Sequence, residues 1–85
     1  NITINTVLPG RILTDRLKGA LAIRAEKTGV PLEQALEESG KDVPLGRIGE
    51  PVEMANGIVF LCSEAASYIT GVSLQIDGGA IRGLL

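Results

Sequence analysis

The sequence is poor in the side chains that most often carry out chemistry. It has no histidine and no tryptophan, and its 85 residues include one cysteine, one tyrosine and one phenylalanine. A single cysteine excludes an internal disulfide and a cysteine metal cluster. Histidine, the commonest general acid or base in enzymes, is absent. We therefore expect no metal site, and no catalytic residue among those present.

Charge and hydropathy exclude further classes of protein. Lysine and arginine number 8 against 10 acidic residues, so the formal net charge is −2, and both signs are scattered. No basic stripe points to nucleic acid or to an acidic membrane surface. No apolar run approaches the length of a membrane span, and the start lacks a signal-peptide pattern. We expect a cytoplasmic protein that binds neither nucleic acid nor membrane.

The length allows at most one small domain. The chain opens at Asn1, inside a predicted strand and without a methionine. We therefore expect residues 1–85 to be a piece of a single larger domain.

The most informative stretch leads from a strand into a turn. Residues Ile2–Leu8 are apolar or β-branched almost without a break, which favours a strand covered on both faces. Asn5 interrupts them, and we interpret it as a structural residue whose amide satisfies nearby backbone. Pro9 has no N–H and ends the strand. Gly10 permits a backbone conformation that other residues resist, and it lets a ligand approach the main chain closely.

The position of this turn gives it two interpretations. Thr14 or Asp15 can cap a following helix. In open α/β sheets ligands bind just beyond the carboxyl ends of strands, where this turn falls. A plain turn would show the same residues.

Two helices follow the turn. The three-and-four spacing of apolar residues predicts a helix over Asp15–Thr28, ended by Gly29. Pro31 then occupies the first turn of a second helix, which extends over Leu32–Ser39. Its apolar stripe is thin, so we expect shallow packing. Residues 15–43 are interpreted as a flap over the end of the strand, and an ordinary surface crossover is the alternative.

The second half of the chain predicts a buried helix and a second strand. After a connector rich in proline and glycine, Pro51–Ser63 forms the strongest helix, which we expect to be largely buried. Cys62 is interpreted as a small core residue rather than a nucleophile. Val72–Ile76 returns to the period of a strand, and an apolar tail covers Ala80–Leu85. Strand, helices and strand predict an α/β unit with a right-handed parallel crossover.

Three segments in register resemble a known family. They read ITINTVLPGRILTD, VPLGRIGEPVEMANGIVFLCSEAASYITG and VSLQIDGG, and they are similar to the C-terminal third of the classical short-chain dehydrogenases/reductases, especially the 3-oxoacyl-acyl-carrier-protein reductases. The resemblance implies the C-terminal part of a doubly wound Rossmann-type parallel sheet. It also implies hydride transfer with NAD or NADP, a small carbonyl or alcohol substrate, and a parent protein that is a homo-oligomer, specifically a tetramer.

The resemblance also assigns residues. It implies that Pro9 and Gly10 lie against the nicotinamide ring, that the main chain of Ile12 pairs with the carboxamide, and that the Thr14 hydroxyl contacts the same end of the cofactor. The glycine-rich loop, the catalytic serine and the Tyr-x-x-x-Lys pair of the family precede this segment. Tyr68 is followed four places later by valine, so it does not match that catalytic pair.

Two charged residues remain open to interpretation. Arg47 could meet an acidic substrate and Asp77 a cation, but the matching family segments are mostly architectural, and we favour local pairing.

Two functions are compatible with the sequence. The first is part of an NAD(P)-dependent oxidoreductase, in which this piece supplies half of the nicotinamide site, the flap and an assembly surface. The second is a non-catalytic module that self-associates or binds a partner. A glycine-rich turn and a Tyr-x-x-x-Lys pair upstream of Asn1 would favour the first.

Overall fold

The computed structural model describes residues 2–80 and has an α/β architecture. Two strands pair in parallel within these residues, in the register Thr6↔Ser73 to Pro9↔Ile76, and the helices lie between them in the sequence. The α/β parallel crossover is thereby confirmed. In chain order the elements are β1 (Thr6–Pro9), α1 (Asp15–Thr28), α2 (Leu32–Gly40), α3 (Pro51–Leu61), a 3₁₀ turn (Glu64–Ala66) and β2 (Ser73–Ile76).

The first helix begins and ends where its capping residues predict. The Thr14 hydroxyl accepts a hydrogen bond from the N–H of Leu17 at 3.3 Å. Gly29 takes a left-handed conformation with φ of 73°, and its N–H donates to the carbonyl of Ala25. Because a cap and a left-handed glycine each fix one end, the predicted bounds of α1 are confirmed. Helix α2 extends one residue beyond its prediction.

The first strand is shorter than predicted. Ile2 and Ile4 are 87% and 74% exposed and lie outside β1, because only residues 6–9 have ladder partners in the described chain. Asn5 plays the predicted structural role. Its side-chain amide donates to the carbonyl of Ile69 at 3.3 Å, and its oxygen accepts from the N–H of Val72 at 3.0 Å.

The flap, residues 15–43, carries most of the buried apolar side chains. Leu21 and Ala25 of α1, Ala35 of α2 and Val43 are each at most 6% exposed. Shallow packing was expected for the thin stripe of α2, and there Ala35 is buried whereas Leu32 is 43% exposed. The expectation was therefore wrong for Ala35 and is confirmed for Leu32.

Helix α3 is not the buried helix that its composition predicts. None of its residues is buried, and Val52 and Val59 are 61% and 66% exposed. One side faces the sheet, since a β-carbon at Gly57 would collide with the side chain of Ile76. No segment of residues 2–80 covers the other apolar side. The sequence of α3 predicts a face that favours burial, but it does not show which segment packs against that face. Cys62 is likewise exposed, so its assignment to the core was wrong.

The overall dimensions agree with these uncovered faces. The radius of gyration is 15.7 Å, whereas a compact domain of this length has a value of about 12 Å. The predicted apolar tail, Ala80–Leu85, lies almost entirely outside the described residues. No helix in the described part of the chain is long and apolar enough to span a membrane, and residues 2–80 contain no cluster of side chains suited to hold a metal ion.

Candidate functional site

The backbone of the turn after β1 is held from two sides. The N–H of Gly10 donates to the carbonyl of Ile76 at 2.9 Å, which joins the turn to the end of β2. Gly49 donates its N–H to the carbonyl of Arg11 at 2.9 Å and accepts the N–H of Leu13 at 2.8 Å. The turn is therefore fixed between β2 and the connector that precedes α3.

Ile12 has an unusual position in this arrangement. It forms a parallel bridge with Gly49, but the bridging hydrogen bonds use the polar groups of its two neighbours. In a parallel pair the N–H and C=O of such a residue point away from the partner. The carbonyl of Ile12 accepts the N–H of Thr14 at 2.7 Å, and its own N–H has no hydrogen-bond acceptor among residues 2–80. One edge of the turn thus offers a free donor beside an acceptor.

Glycine is required at position 10 because there is no room for a side chain, and not because of the backbone conformation. Its φ is not positive, so the expectation of an unusual backbone was wrong. A β-carbon at this position would lie 2.6 Å from the β-carbon and 2.7 Å from the α-carbon of Asp77. The end of β2 therefore occupies the room that a larger side chain would need.

Thr14 closes the turn and opens α1. Its hydroxyl oxygen accepts the N–H of Leu17, which leaves the hydroxyl hydrogen available as a donor. Thr14 and Pro9 are both exposed, and Gly10 and Ile12 are partly exposed. All four predicted site residues thus belong to one turn and have accessible surface.

A small cleft lies beside the turn. Its volume is about 60 Å³, well below the roughly 300 Å³ of the smallest common ligand pockets. Of the four predicted residues only Ile12 lines this cleft, together with Arg11, Arg47, Glu53 and Asp77, among others. The accessible face of the turn, rather than the cleft, is the candidate contact surface for a ring.

Arg47 pairs locally, as favoured from the sequence. Its guanidinium donates two hydrogen bonds to the carboxylate of Glu53, at 2.7 and 2.8 Å. Glu53 also accepts the N–H of Glu50 at 2.9 Å and so caps the start of α3. The Arg47 guanidinium, followed by the Glu50 N–H, lowers the pKa of Glu53 from 4.5 to about 2. Arg47 is thereby committed to the architecture of the connector.

Asp77 also has a local partner. Its side-chain oxygen accepts the N–H of Gly79 at 2.9 Å in the turn after β2. Gly78 and Gly79 in this turn have φ of 62° and 90°, which favours glycine at both positions. The architectural interpretation is confirmed for this contact.

Sequence reasoning missed Arg11. Its guanidinium donates to the main-chain carbonyl of Ser39, in the last turn of α2. The only available signal was indirect, since α2 has no basic residue in its own last turn. The buried Gly40 was also missed; a β-carbon there would lie 2.7 Å from the α-carbon of Arg47.

Comparison with known proteins shows the family of this chain. Residues 1–80 match the family described as enoyl-(acyl carrier protein) reductase. The chain belongs to the short-chain dehydrogenase/reductase family. It is 42% identical over 79 residues to the 3-oxoacyl-[acyl-carrier-protein] reductase FabG of Aquifex aeolicus, which covers 93% of this chain and 27% of that protein. It is 37% identical over 84 residues to the NADPH-dependent reductase BacG of Bacillus subtilis, over 99% of this chain and 32% of BacG.

Solved structures of the family contain the same fold. The L-sorbose reductase of Gluconobacter frateurii, crystallised with NADPH and L-sorbose, superposes with a TM-score of 0.89 at 34% identity. The match covers 99% of this chain and 32% of that one. The chain therefore spans about a third or less of the length of these relatives, and its elements correspond to part of a Rossmann-type fold.

Proposed function

We propose that this chain forms part of an NAD(P)-dependent oxidoreductase that reduces a ketone or oxidises an alcohol. Within it, the turn Pro9–Thr14 supports one side of the nicotinamide site. The single observation that carries this proposal is the Ile12 main chain, whose N–H lacks an acceptor in the described residues beside a carbonyl on the same edge. This edge lies just beyond the carboxyl end of β1, where ligands of open α/β sheets bind.

The residues of the turn fit the group that they would hold. A carboxamide has one acceptor oxygen and an NH₂ donor, and Ile12 offers a donor and an acceptor to match them. Pro9 is exposed and Gly10 is partly exposed and has no side chain, so a flat ring could approach the main chain here. The Thr14 hydroxyl can donate to the same end of the cofactor while it caps α1. These residues bind and orient, which contributes by positioning and not by making or breaking bonds.

The relatives support NAD or NADP as the cofactor. BacG is described as NADPH-dependent, and the L-sorbose reductase was crystallised with NADPH and its sugar substrate. The nicotinamide would supply or accept the hydride. No residue of this chain is proposed as catalytic, because Tyr68 lacks a lysine four places later. The flap, residues 15–43, is proposed to cover a small carbonyl or alcohol substrate.

The uncovered side of α3 supports assembly of the protein. Val52, Val59 and Phe60 are 61%, 66% and 44% exposed, and solvent contact with such a face is unfavourable. We propose that α3 and β2 lie at a contact with the rest of a homo-oligomeric parent, taken as a cytoplasmic tetramer. The same exposed face favours the second candidate, a non-catalytic module that binds itself or a partner.

One experiment separates the two functions. The intact protein and the isolated chain are each mixed with NADPH or NADH and a panel of ketones, and the nicotinamide absorbance is followed. We expect turnover by the intact protein and a flat trace for the isolated chain. An intact protein that neither binds nor consumes either cofactor, and that associates through α3, would be the module instead.

A further inference from the structure

Arg11 joins the turn Pro9–Thr14 to α2, the second helix of the flap, through a side-chain hydrogen bond. Its backbone belongs to the turn Pro9–Thr14, where its carbonyl accepts the N–H of Gly49. The neighbouring Gly10 donates a hydrogen bond to the carbonyl of Ile76. The side chain of Arg11 reaches the flap, where it donates to the carbonyl of Ser39, 28 positions later in the sequence. The main chain and the side chain of Arg11 thus contact different elements.

The electrostatics of α2 favour this contact. The carbonyls in the last turn of a helix carry partial negative charge and lack partners within the helix. Helix α2 has no basic residue in its own last turn, and Glu37 and Glu38 add negative charge there. A guanidinium from outside the helix therefore meets both an unpaired carbonyl and a favourable potential.

The flap is also attached at its two ends. At its start, Thr14 of the turn caps α1, and at its end residues 43–45 contact the turn after β2. The N–H of Leu45 donates to the carbonyl of Gly78 at 3.1 Å, and the side chain of Val43 packs where a β-carbon of Gly78 would lie. Those contacts hold residues 43–45, where the flap ends, against the turn that follows β2. Of the contacts in residues 2–80, the Arg11 bond is the side-chain hydrogen bond that joins the turn to α2.

We propose that Arg11 is a positioning residue that ties α2, the second helix of the flap, to the turn Pro9–Thr14. A ligand that orders the turn also orders Arg11, and the flap then opens less often. The tie itself follows from the contacts above, whereas its response to a cofactor rests on the proposed function. Coupling of this kind requires that the ligand favour the tied state over the open one.

Hydrogen exchange on the intact protein tests the tie without any ligand. We expect Arg11→Ala to raise the exchange rates of amides in the second half of α2 by about threefold or more, the effect of losing an exposed charge-assisted hydrogen bond. Arg11→Lys keeps a donor and should restore part of the protection. Ser39→Ala keeps the carbonyl that accepts the bond, so it should match wild type. Arg24→Ala removes an exposed arginine of α1 and is the charge control.

The same measurement with NADPH or NADH tests the coupling. In wild type, saturating cofactor should slow exchange both at the turn and in α2. In Arg11→Ala the slowing at the turn should remain and the slowing in α2 should disappear. Unchanged α2 exchange in Arg11→Ala without cofactor, or equal slowing of α2 in both proteins, would overturn the proposal. Absence of any protection at the wild-type turn would instead reject the proposed function, and the ligand-free comparison would still decide the tie.

Discussion

Gly10 lies so close to Asp77 that a β-carbon on the glycine would be 2.6 Å from the β-carbon of the aspartate. Real β-carbons do not approach each other to this distance, so any larger residue at position 10 must displace the end of β2. The glycine after the strand thus has a structural reason that is independent of a cofactor. Loss of cofactor binding in a Gly10 variant would not by itself prove contact with a ring.

We predict that Gly10→Ala lowers the free energy of unfolding of the intact protein by about 1–3 kcal/mol, the usual cost of overpacking. Gly19→Ala is the matched control, since a β-carbon there meets nothing within 4 Å in the interior of α1. That change should stabilise by about 0.5–1 kcal/mol, because alanine favours helix over glycine. Urea denaturation measures both. Equal stability of Gly10→Ala and wild type would show that the close approach is not rigid.

The pairing of Arg47 with Glu53 predicts a pH dependence. The folded pKa of Glu53 is about 2, below its ordinary value of 4.5, because of the Arg47 guanidinium and the Glu50 N–H. A lowered folded pKa means that the unfolded chain binds the proton first as pH falls. The stabilisation is therefore complete above about 4.5 and is lost progressively as the pH approaches 2.

Glu53→Gln should remove this contribution and flatten the dependence of unfolding free energy on pH between about 4.5 and 2. Glu26→Gln, at an exposed position of α1 with no ion pair in the described part of the chain, is the control. Denaturation at a series of pH values compares the two. Identical slopes for both variants would mean that the exposed pair contributes nothing to stability, as many surface pairs do.

Asn5 provides a third test. Its side chain bridges the carbonyl of Ile69 and the N–H of Val72, which fixes the approach of the chain to β2. Asn5→Ala should cost about 1 kcal/mol of unfolding free energy through the lost hydrogen bonds. Thr3→Ala, at an exposed neighbour, should change stability by less than about 0.5 kcal/mol. A loss no larger in Asn5→Ala than in Thr3→Ala would make the bridge incidental.

Local signals predicted local structure well. Thr14 and Gly29 fix the ends of α1 through contacts within a few residues, so the sequence contains the whole reason for its bounds. The turn Pro9–Thr14 was predicted from the order of a strand, a proline, a glycine and a cap. Its four candidate residues lie in one turn and each has accessible surface, although their contact with a cofactor stays a prediction.

Features that depend on distant partners were not predictable in this way. The apolar residues of α3 indicate a face that favours burial, but not which segment would cover it, and the described chain leaves Val52 and Val59 exposed. The Arg11 bond depends on α2 ending beside the turn, 28 positions away in the sequence. The close approach of Asp77 to Gly10 likewise depends on the pairing of β1 with β2, which lies far along the sequence.

The uncovered helix leads to a prediction about protection. In the intact protein we expect slow hydrogen exchange across 52–62 and faster exchange in the flap, 15–43, where glycines provide hinge points. In the isolated chain, α3 should lose much of its protection because nothing described covers its outer face. Equal protection of α3 in the two samples would show that this face needs no cover. Slower exchange in the flap than in α3 of the intact protein would favour a packed crossover.

The central claim is that the turn Pro9–Thr14 holds the nicotinamide end of NAD or NADP, and titration of Thr14 variants with each cofactor tests it most directly. Aspartate caps a helix as well as threonine does but has no hydrogen to donate at neutral pH, and glycine caps nearly as well without charge. We predict that Thr14→Ser binds like wild type. Thr14→Asp and Thr14→Gly should fold normally and bind about tenfold more weakly or worse, a loss of about 1.4 kcal/mol. Wild-type affinity in the well-folded aspartate and glycine variants would contradict the assignment of this turn to the cofactor.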